Sequence, residues 1–285
     1  MQSLWMLAAS LFFATMGMFI KLSSSYHNLG EIVLFRGLPS VIFILAYALH
    51  KQLPLLGHNL KTHARRNIVG IISMWMGFYG TTHLPLSTAT TLNYTSPLFI
   101  AIFLLYQGYF PGILRAQWLR FSAIILGFIG VLFIFNPFAE TNLNHTALLV
   151  ALLGGMMGAL AFMTVRSLGR MGEPEWRTVM LFSCSVVLSG LLGVALLGIS
   201  NYSLHSTLYL IGIGLAGMGG QLCMTRAFSR GSTTLTATLQ YTTIIFSATF
   251  GYFIWNETID LMGFIGIALV VASGLAATLY TRRNS

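Results

Sequence analysis

The sequence predicts an all-α membrane protein of ten transmembrane helices, arranged as two inverted five-helix repeats around a central cavity. Three observations carry that prediction. The composition, 56% hydrophobic and 7% charged with a mean hydropathy of +0.79, is far from that of a soluble domain, where charged residues make up about a quarter. Two stretches nearly repeat each other: Thr91-Leu-Asn-Tyr-Thr-Ser-Pro-Leu-Phe99 and Thr238-Leu-Gln-Tyr-Thr-Thr-Ile-Ile-Phe246. Both fall in the fourth of five apolar spans in their half, and an odd number of spans per repeat inverts the second copy relative to the first.

At roughly 20 apolar residues per helical span, 285 residues hold ten helices with short connections and leave no room for a soluble catalytic domain. Abundant Phe, Leu, Ile and Gly, without ten-residue alternation of apolar and polar positions, argue for a helical bundle over an outer-membrane barrel. The spans of the first half read as Ser3–Lys21, Glu31–His50, Ile68–His83, Thr88–Gln107 and Leu119–Phe135. Those of the second half read as Ala147–Val165, Val179–Ile199, Leu208–Phe228, Leu235–Trp255 and Leu261–Tyr280. The halves, 1–137 and 138–285, divide in the polar, turn-forming stretch Asn136–Thr146. Leu4–Phe13 has the length of a signal-peptide core. It reads as part of the first span instead, because no Lys or Arg precedes it and the apolar character continues through Ile20 without a cleavage site.

The cations set the orientation. With a cytoplasmic N-terminus, the inner loops and tail carry Lys51, Lys61, Arg65, Arg66, Arg115, Arg120, Arg166, Arg170, Arg177, Arg226, Arg230, Arg282 and Arg283. The outer side keeps only Lys21, and Arg36 lies inside the second span. This positive-inside bias places both termini in the cytoplasm and the chain in a bacterial inner membrane. The net charge of +9 follows from that topology and the anionic inner leaflet, and gives no support to a nucleic-acid partner.

The repeat extends beyond its central motif. Lys21 ends the first span as Arg166 ends the sixth, and Leu126-Gly-Phe-Ile-Gly130 and Val270-Val-Ala-Ser-Gly274 hold comparable places in the fifth and tenth. The whole chain resembles the drug/metabolite transporter superfamily, in particular its EamA-like family. The resemblance rests on Phe13-Ala-Thr-Met-Gly-Met-Phe-Ile-Lys21, Leu34-Phe-Arg-Gly37, Leu84-Pro-Leu-Ser-Thr-Ala-Thr-Thr-Leu92 with Ser96-Pro97, and Trp255-Asn-Glu-Thr258, in that order. It implies a carrier with two five-helix repeats and a cavity formed mainly by spans 1, 3, 4, 6, 8 and 9. One departure is Tyr106-Gln-Gly-Tyr109, where such repeats usually close the fourth helix with Gly-Glu; Glu257 keeps that acid in the second half only.

A binding site inside the bilayer must come from polar and aromatic groups, which are costly facing lipid. Asn93, Tyr94 and Ser96 in the fourth span, and Gln240 and Tyr241 in the ninth, form two related polar belts at mirrored depths. They line opposite ends of one cavity, or they hydrogen-bond neighbouring helices as membrane bundles commonly do. Trp75, Tyr79 and Thr82 share a face of the third span, and the equivalent span offers Gln221, Thr225 and Phe228. Such a face either grips a ring-bearing or cationic solute or packs, with interfacial anchoring a further role for Tyr79. Arg36 near the outer end of the second span either pairs with Glu31 or contacts a substrate carboxylate, and Lys21 either snorkels or draws anions to the outer mouth. These three are the candidate gate or ion pair.

The glycines at 154, 155 and 158, and at 212, 214, 217, 219 and 220, allow close helix approach; they match no phosphate-binding loop. Cys184 and Cys223 have no metal-ligand spacing. Every acid and every His falls at a span end or in a loop, so no nucleophile with a base, and no acid–base pair, lies at mid-membrane. The expected protein is therefore no enzyme and carries no cofactor or metal. Its expected partners are a small-molecule substrate and the lipid bilayer, and it is a monomer or homodimer. The expected function is secondary transport of an amino-acid-, nucleoside- or drug-like metabolite, with a non-transporting scaffold or receptor as the alternative.

Overall fold

The computed structural model describes residues 2–57, 59–84, 92–106, 115–135, 144–255 and 261–283. A 3₁₀ turn, Gln2–Leu4, leads into α1 (Trp5–Ser23), followed by α2 (Leu29–His50), α3 (Leu60–His83), α4 (Ser96–Tyr106) and α5 (Arg115–Phe135). The second half comprises α6 (His145–Arg170), α7 (Glu175–Leu197), α8 (Leu204–Arg230), the short α9 (Thr233–Leu239), α10 (Thr242–Trp255) and α11 (Leu261–Arg283). The segment that starts with the 3₁₀ turn and α1, together with α2, α6, α7 and α8, is long and apolar enough to cross a membrane. The 22 residues of α2 alone reach about 33 Å at 1.5 Å per residue, against a hydrocarbon core of about 30 Å. Much of the expected half boundary, with Gln107, Tyr109 and Glu257, lies outside the described residues.

Burial is reversed relative to a soluble bundle. Leu192, Leu196, Leu204, Phe253, Leu261 and Phe264 stand exposed, whereas Ala9, Ala48, Ala147, Ala151 and Ala159 are fully buried. Where lipid is as apolar as leucine, helices gain by close contact between small residues. Thus α2 and α7 meet backbone to backbone. A Cβ on Gly30 would lie 2.5 Å from the Gly193 carbonyl carbon, and one on Gly190 would lie 2.5 Å from the Leu34 nitrogen.

The packing keeps its form when each helix is exchanged for its counterpart in the other half. As α1 packs on α8, so α6 packs on α3; α2 lies on α7 and α5 on α11; and α4 touches α6 as α10 touches α1. Local signals fix the helix starts. Asn28 and Glu31 form a reciprocal capping box at α2, Ser203 and Ser206 form one at α8, and Asn144 caps α6 through the Ala147 N–H.

Three features depart from the sequence reading. The third helix begins at Leu60 rather than Ile68, because Lys61, Arg65 and Arg66 are helical although the charge pattern reads as loop. The fourth and ninth spans are broken rather than continuous. The helix at Leu92–Asn93 is interrupted at Tyr94–Thr95 before α4, and α9 is separated from α10 at Gln240–Tyr241. At equivalent places in the two repeats a threonine hydroxyl satisfies a carbonyl beside the break: Thr95 Oγ1 donates to Leu92 O at 2.6 Å, and Thr242 Oγ1 to Leu239 O at 2.7 Å. Non-helical backbone at membrane depth persists only where it is buried in protein or lines a cavity.

Candidate substrate cavity

The two breaks meet. Gln240 Nε2 donates to Ser96 Oγ at 3.3 Å, and the Tyr94 hydroxyl is hydrogen-bonded to Thr243. The expected placement of the belts at opposite ends of a cavity is therefore replaced by direct contact, because each break turns its polar side chains toward the other half. Gly155 of α6 makes room at the first break: a Cβ there would lie 2.8 Å from Leu92 O.

Beside this junction lies a cavity of about 710 Å³, within the range of small-molecule sites. Its walls come from α1, α2, α3, Asn93 and Tyr94 at the first break, α6, α7, α8, Gln240 and α10. Phe13, Phe78, Phe162 and Phe250 supply apolar surface, and Asn93, Tyr94, Gln221 and Gln240 supply amides and a hydroxyl. The lining runs to the end of α1 and the start of α2, at Lys21, Ser24 and Leu29. Toward the opposite end, Met6, Ile100, Val165, Met224, Phe228, Leu235 and Leu239 form a packed cluster, with Phe162 stacked on Phe228 at 4.8 Å between centroids. The space is thus closed on one side by apolar packing.

Several lining groups keep unused hydrogen-bonding capacity. Gln240 Oε1 and Gln221 Nε2 are buried without a partner among the described residues. Two arginines reach the same wall. Arg36 (7% exposed) donates from Nη2 to Gln221 Oε1 at 3.1 Å, and its guanidinium carbon lies 5.5 Å from the centre of the Phe182 ring. Arg66 (3% exposed) stacks on the same ring at 3.9 Å, with Nε and Nη1 unpartnered among the described residues. Glycines admit both. A Cβ at Gly217 would lie 3.3 Å from Arg36 Cγ, and one at Gly70 would occupy the space of the Arg66 guanidinium.

The expected pairing of Arg36 with Glu31 is not formed. Glu31 is wholly buried and accepts hydrogen bonds from Asn28 N (3.0 Å), Ser200 N (3.0 Å) and Ser200 Oγ (2.6 Å), with His27 Nδ1 at 3.5 Å. Its acceptor capacity is committed to the capping box and the α7–α8 link.

Of the other expected site residues, Lys21, Arg36, Asn93, Tyr94, Gln221 and Gln240 line the cavity, and Ser96 sits behind it as the acceptor of Gln240. Three do not line it. Trp75 donates its indole N–H to Ser189 Oγ at 3.3 Å and fills the space over Gly193, because glycine leaves a slot there. Tyr79 stacks on His83 at 4.0 Å and packs against Leu84 and Ala151. Tyr241, the repeat equivalent of Tyr94, is fully buried among Phe121, Ile124 and Val270, in a slot opened by Gly127. Arg66 was missed by the sequence reading; its signal is the i, i+4, i+7 set Arg66, Gly70 and Ser73 on one face of α3, all of which line the cavity.

Charged pairs away from the cavity clamp the helix ends. Glu173 accepts from Arg177 Nη1 (2.8 Å) and Asn59 Nδ2 (3.1 Å), with His63 at 3.6 Å, while Arg230 pairs with Glu175 at 2.6 Å. Burial pushes the Glu173 carboxyl up, but its donors outweigh burial and hold it below the usual carboxylate range. Among the described residues no cluster of His, Cys, Asp or Glu suits a metal ion.

Comparison with known proteins agrees with this architecture. A solved protein structure superimposes with a TM-score of 0.82 over 100% of this chain and 98% of its own, at 17% identity, which is a likeness of fold. Among curated proteins, the pseudopaline exporter CntI of Pseudomonas aeruginosa strain UCBPP-PA14 is 29% identical over 94% of this chain and 92% of its own length. An S-adenosylmethionine uptake transporter of Rickettsia bellii is 26% identical over 86% and 82%. A protein of Helicobacter pylori strain J99, described only as an uncharacterized transporter, is 26% identical over 96% and 93%. The profile of the EamA-like transporter family matches residues 1–136 and 145–279, and the chain belongs to that family.

Proposed function

We propose that this protein is a bacterial inner-membrane secondary carrier that moves a small organic metabolite by alternating access. Its ten spans form two inverted halves, 1–137 and 138–285, with both termini cytoplasmic. The observation that carries this reading is the junction of the two broken spans beside a cavity closed by packing at one end. Discontinuous helices of related halves meeting at a central site are the architecture in which one half rocks against the other. On the topology given by the cations, the end of α1 and the start of α2 face outward, so the cavity stands toward the outside and the Met6–Phe228 cluster is the closed inner gate. One relative is named for export and another for uptake, so the fold serves both directions.

The aromatic and amide lining suits an amino-acid-, nucleoside- or drug-like solute. No carboxylate or His lies among the described cavity-lining residues, which favours facilitated diffusion or exchange over a cycle driven by protonation at the midplane. A scaffold would need no buried polar cavity, and a receptor that binds without transporting would need no paired breaks. A thermal-shift screen of the purified protein against a metabolite library, followed by proteoliposome uptake of each stabilising compound, tests the proposal. Saturable uptake of a stabilising compound is expected. Stabilisation without uptake by any of them would favour the receptor.

A further inference from the structure

Arg36 and Arg66 come from different helices and lie over one phenylalanine ring. Both are at least nine-tenths buried, and both line the cavity. A guanidinium stays protonated at any pH a cell meets, so this wall carries two positive charges that repel each other. Buried charges are ordinarily paired, and here no acid among the described residues pairs with either guanidinium. Lys21 is the remaining charged group of the lining, and it is also a cation; no Asp or Glu is present among the described lining residues. Each acid of the described residues is engaged elsewhere: Glu31 with Asn28 and Ser200, Glu173 with Arg177 and Asn59, Glu175 with Arg230. The contacts present are the Gln221 carbonyl for Arg36 and a ring face for Arg66, neither of which neutralises charge.

Resting on the carrier reading above, we infer that the substrate is an organic anion whose acid groups, carboxylate or phosphate, are held by Arg36 and Arg66 while its apolar body lies against Phe13, Phe78, Phe162 and Phe250. The guanidinium fork can donate two parallel N–H bonds to a pair of oxygens on either acid. Gly70 and Gly217 are the backbone provision for it, since a side chain at either position would press on an arginine.

The test uses the full chain in lipid nanodiscs and proteoliposomes with four probes: N-benzoylglutamate, its dimethyl ester, phenyl phosphate and inorganic phosphate. At least one organic anion should bind and stabilise the protein, and which one does identifies the acid. The neutral ester and inorganic phosphate should bind about tenfold or more weakly. Arg36→Gln and Arg66→Gln should each weaken binding by about 10- to 100-fold, the worth of a charge-assisted hydrogen bond. The lysine variants should fall between wild type and glutamine, and they keep the test open if a glutamine variant fails to fold. The readout a structural role would not give is the ligand-free melting temperature, which should stay level or rise in Arg66→Gln because an unpaired buried charge is removed. Ester binding equal to that of the acid, no binding by either organic anion, or unchanged affinity in both glutamine variants would overturn the inference. Arginine-dependent binding without counterflow in proteoliposomes would instead overturn the carrier reading and leave the anion site standing. Counterflow of the ester, indifferent to both substitutions, would do the reverse.

Discussion

The sequence reading makes Glu31 a candidate gate or ion-pair residue, and the structure gives it a different task whose size can be worked out. Its carboxylate accepts hydrogen bonds from the Asn28 N–H and from the N–H and O–H of Ser200, at 3.0, 3.0 and 2.6 Å, and from the Tyr202 hydroxyl. Asn28 Nδ2 adds a bond to Gly198 O at 2.9 Å, so the start of α2 and the α7–α8 link form one clip. Truncation by Glu31→Ala removes these bonds and leaves the half-buried N–H groups of Asn28 and Ser200 without acceptors. At about 1 kcal/mol per bond plus the cost of the stranded donors, the loss is about 3–5 kcal/mol. For a chain of this size that lowers the melting temperature by roughly 6–20 °C. Glu31→Gln keeps one acceptor oxygen and loses the charge, so about 1–2 kcal/mol is expected. The assay is thermal unfolding in detergent, with proteoliposome transport measured in parallel with and without an imposed proton gradient. A melting temperature unchanged in both variants, with gradient-driven accumulation abolished in Glu31→Gln, would refute the clip and make Glu31 a coupling group.

Other consequences follow from the same contacts. A Cβ at Gly155 would press on the Leu92 carbonyl and Thr95, so Gly155→Val should cost about 1–3 kcal/mol by overpacking and abolish transport, while Leu152→Val on the more open face of α6 changes neither. Gln240→Ala and Tyr94→Phe should depress transport severalfold while costing only about 1 kcal/mol each for the lost hydrogen bond. Trp75→Ala should instead act mainly on stability, by about 3 kcal/mol as judged from large-to-small substitutions, and transport at a permissive temperature checks the contrast. The Glu173 carboxyl is held low in the folded protein, so its contribution is complete above the ordinary range of about 4–4.5 and is lost as pH falls through the lower folded value. Melting temperature plotted against pH should therefore show an acid limb that Glu173→Gln flattens.

The helices that bury small residues and expose large ones were legible because composition alone reveals membrane spans, and the paired motifs were legible because they repeat in order. The breaks were not. Thr, Tyr and Gln have no strong helix-breaking propensity; Pro97 marks only the first break, and at the second the hydrogen-bond ladder tightens to i→i−3 bonds at Tyr241, Thr243 and Ile244 with Gln240 still helical in its dihedrals. Repeat equivalence also misled at Tyr241, since Gly127 opens a slot that draws that ring away from the cavity. Arg66 was hidden for a different reason. It stands next to Arg65 and near Lys61 at the N-terminal end of α3, where the sequence reading expects positive charge on topology alone, and only its reach past Gly70 separates it from them.

One labelling experiment bears hardest on the proposal that a single cavity serves both sides of the membrane. Ser247 lines that cavity and is close in size to cysteine; the native Cys184 and Cys223 are first replaced by alanine. In sealed vesicles of known orientation, Ser247→Cys should react with a membrane-impermeant thiol reagent added outside, and more slowly with the same reagent enclosed inside. A transported solute should shift the ratio of the two rates. Reaction from one side only, unmoved by any solute that stabilises the protein, would contradict alternating access.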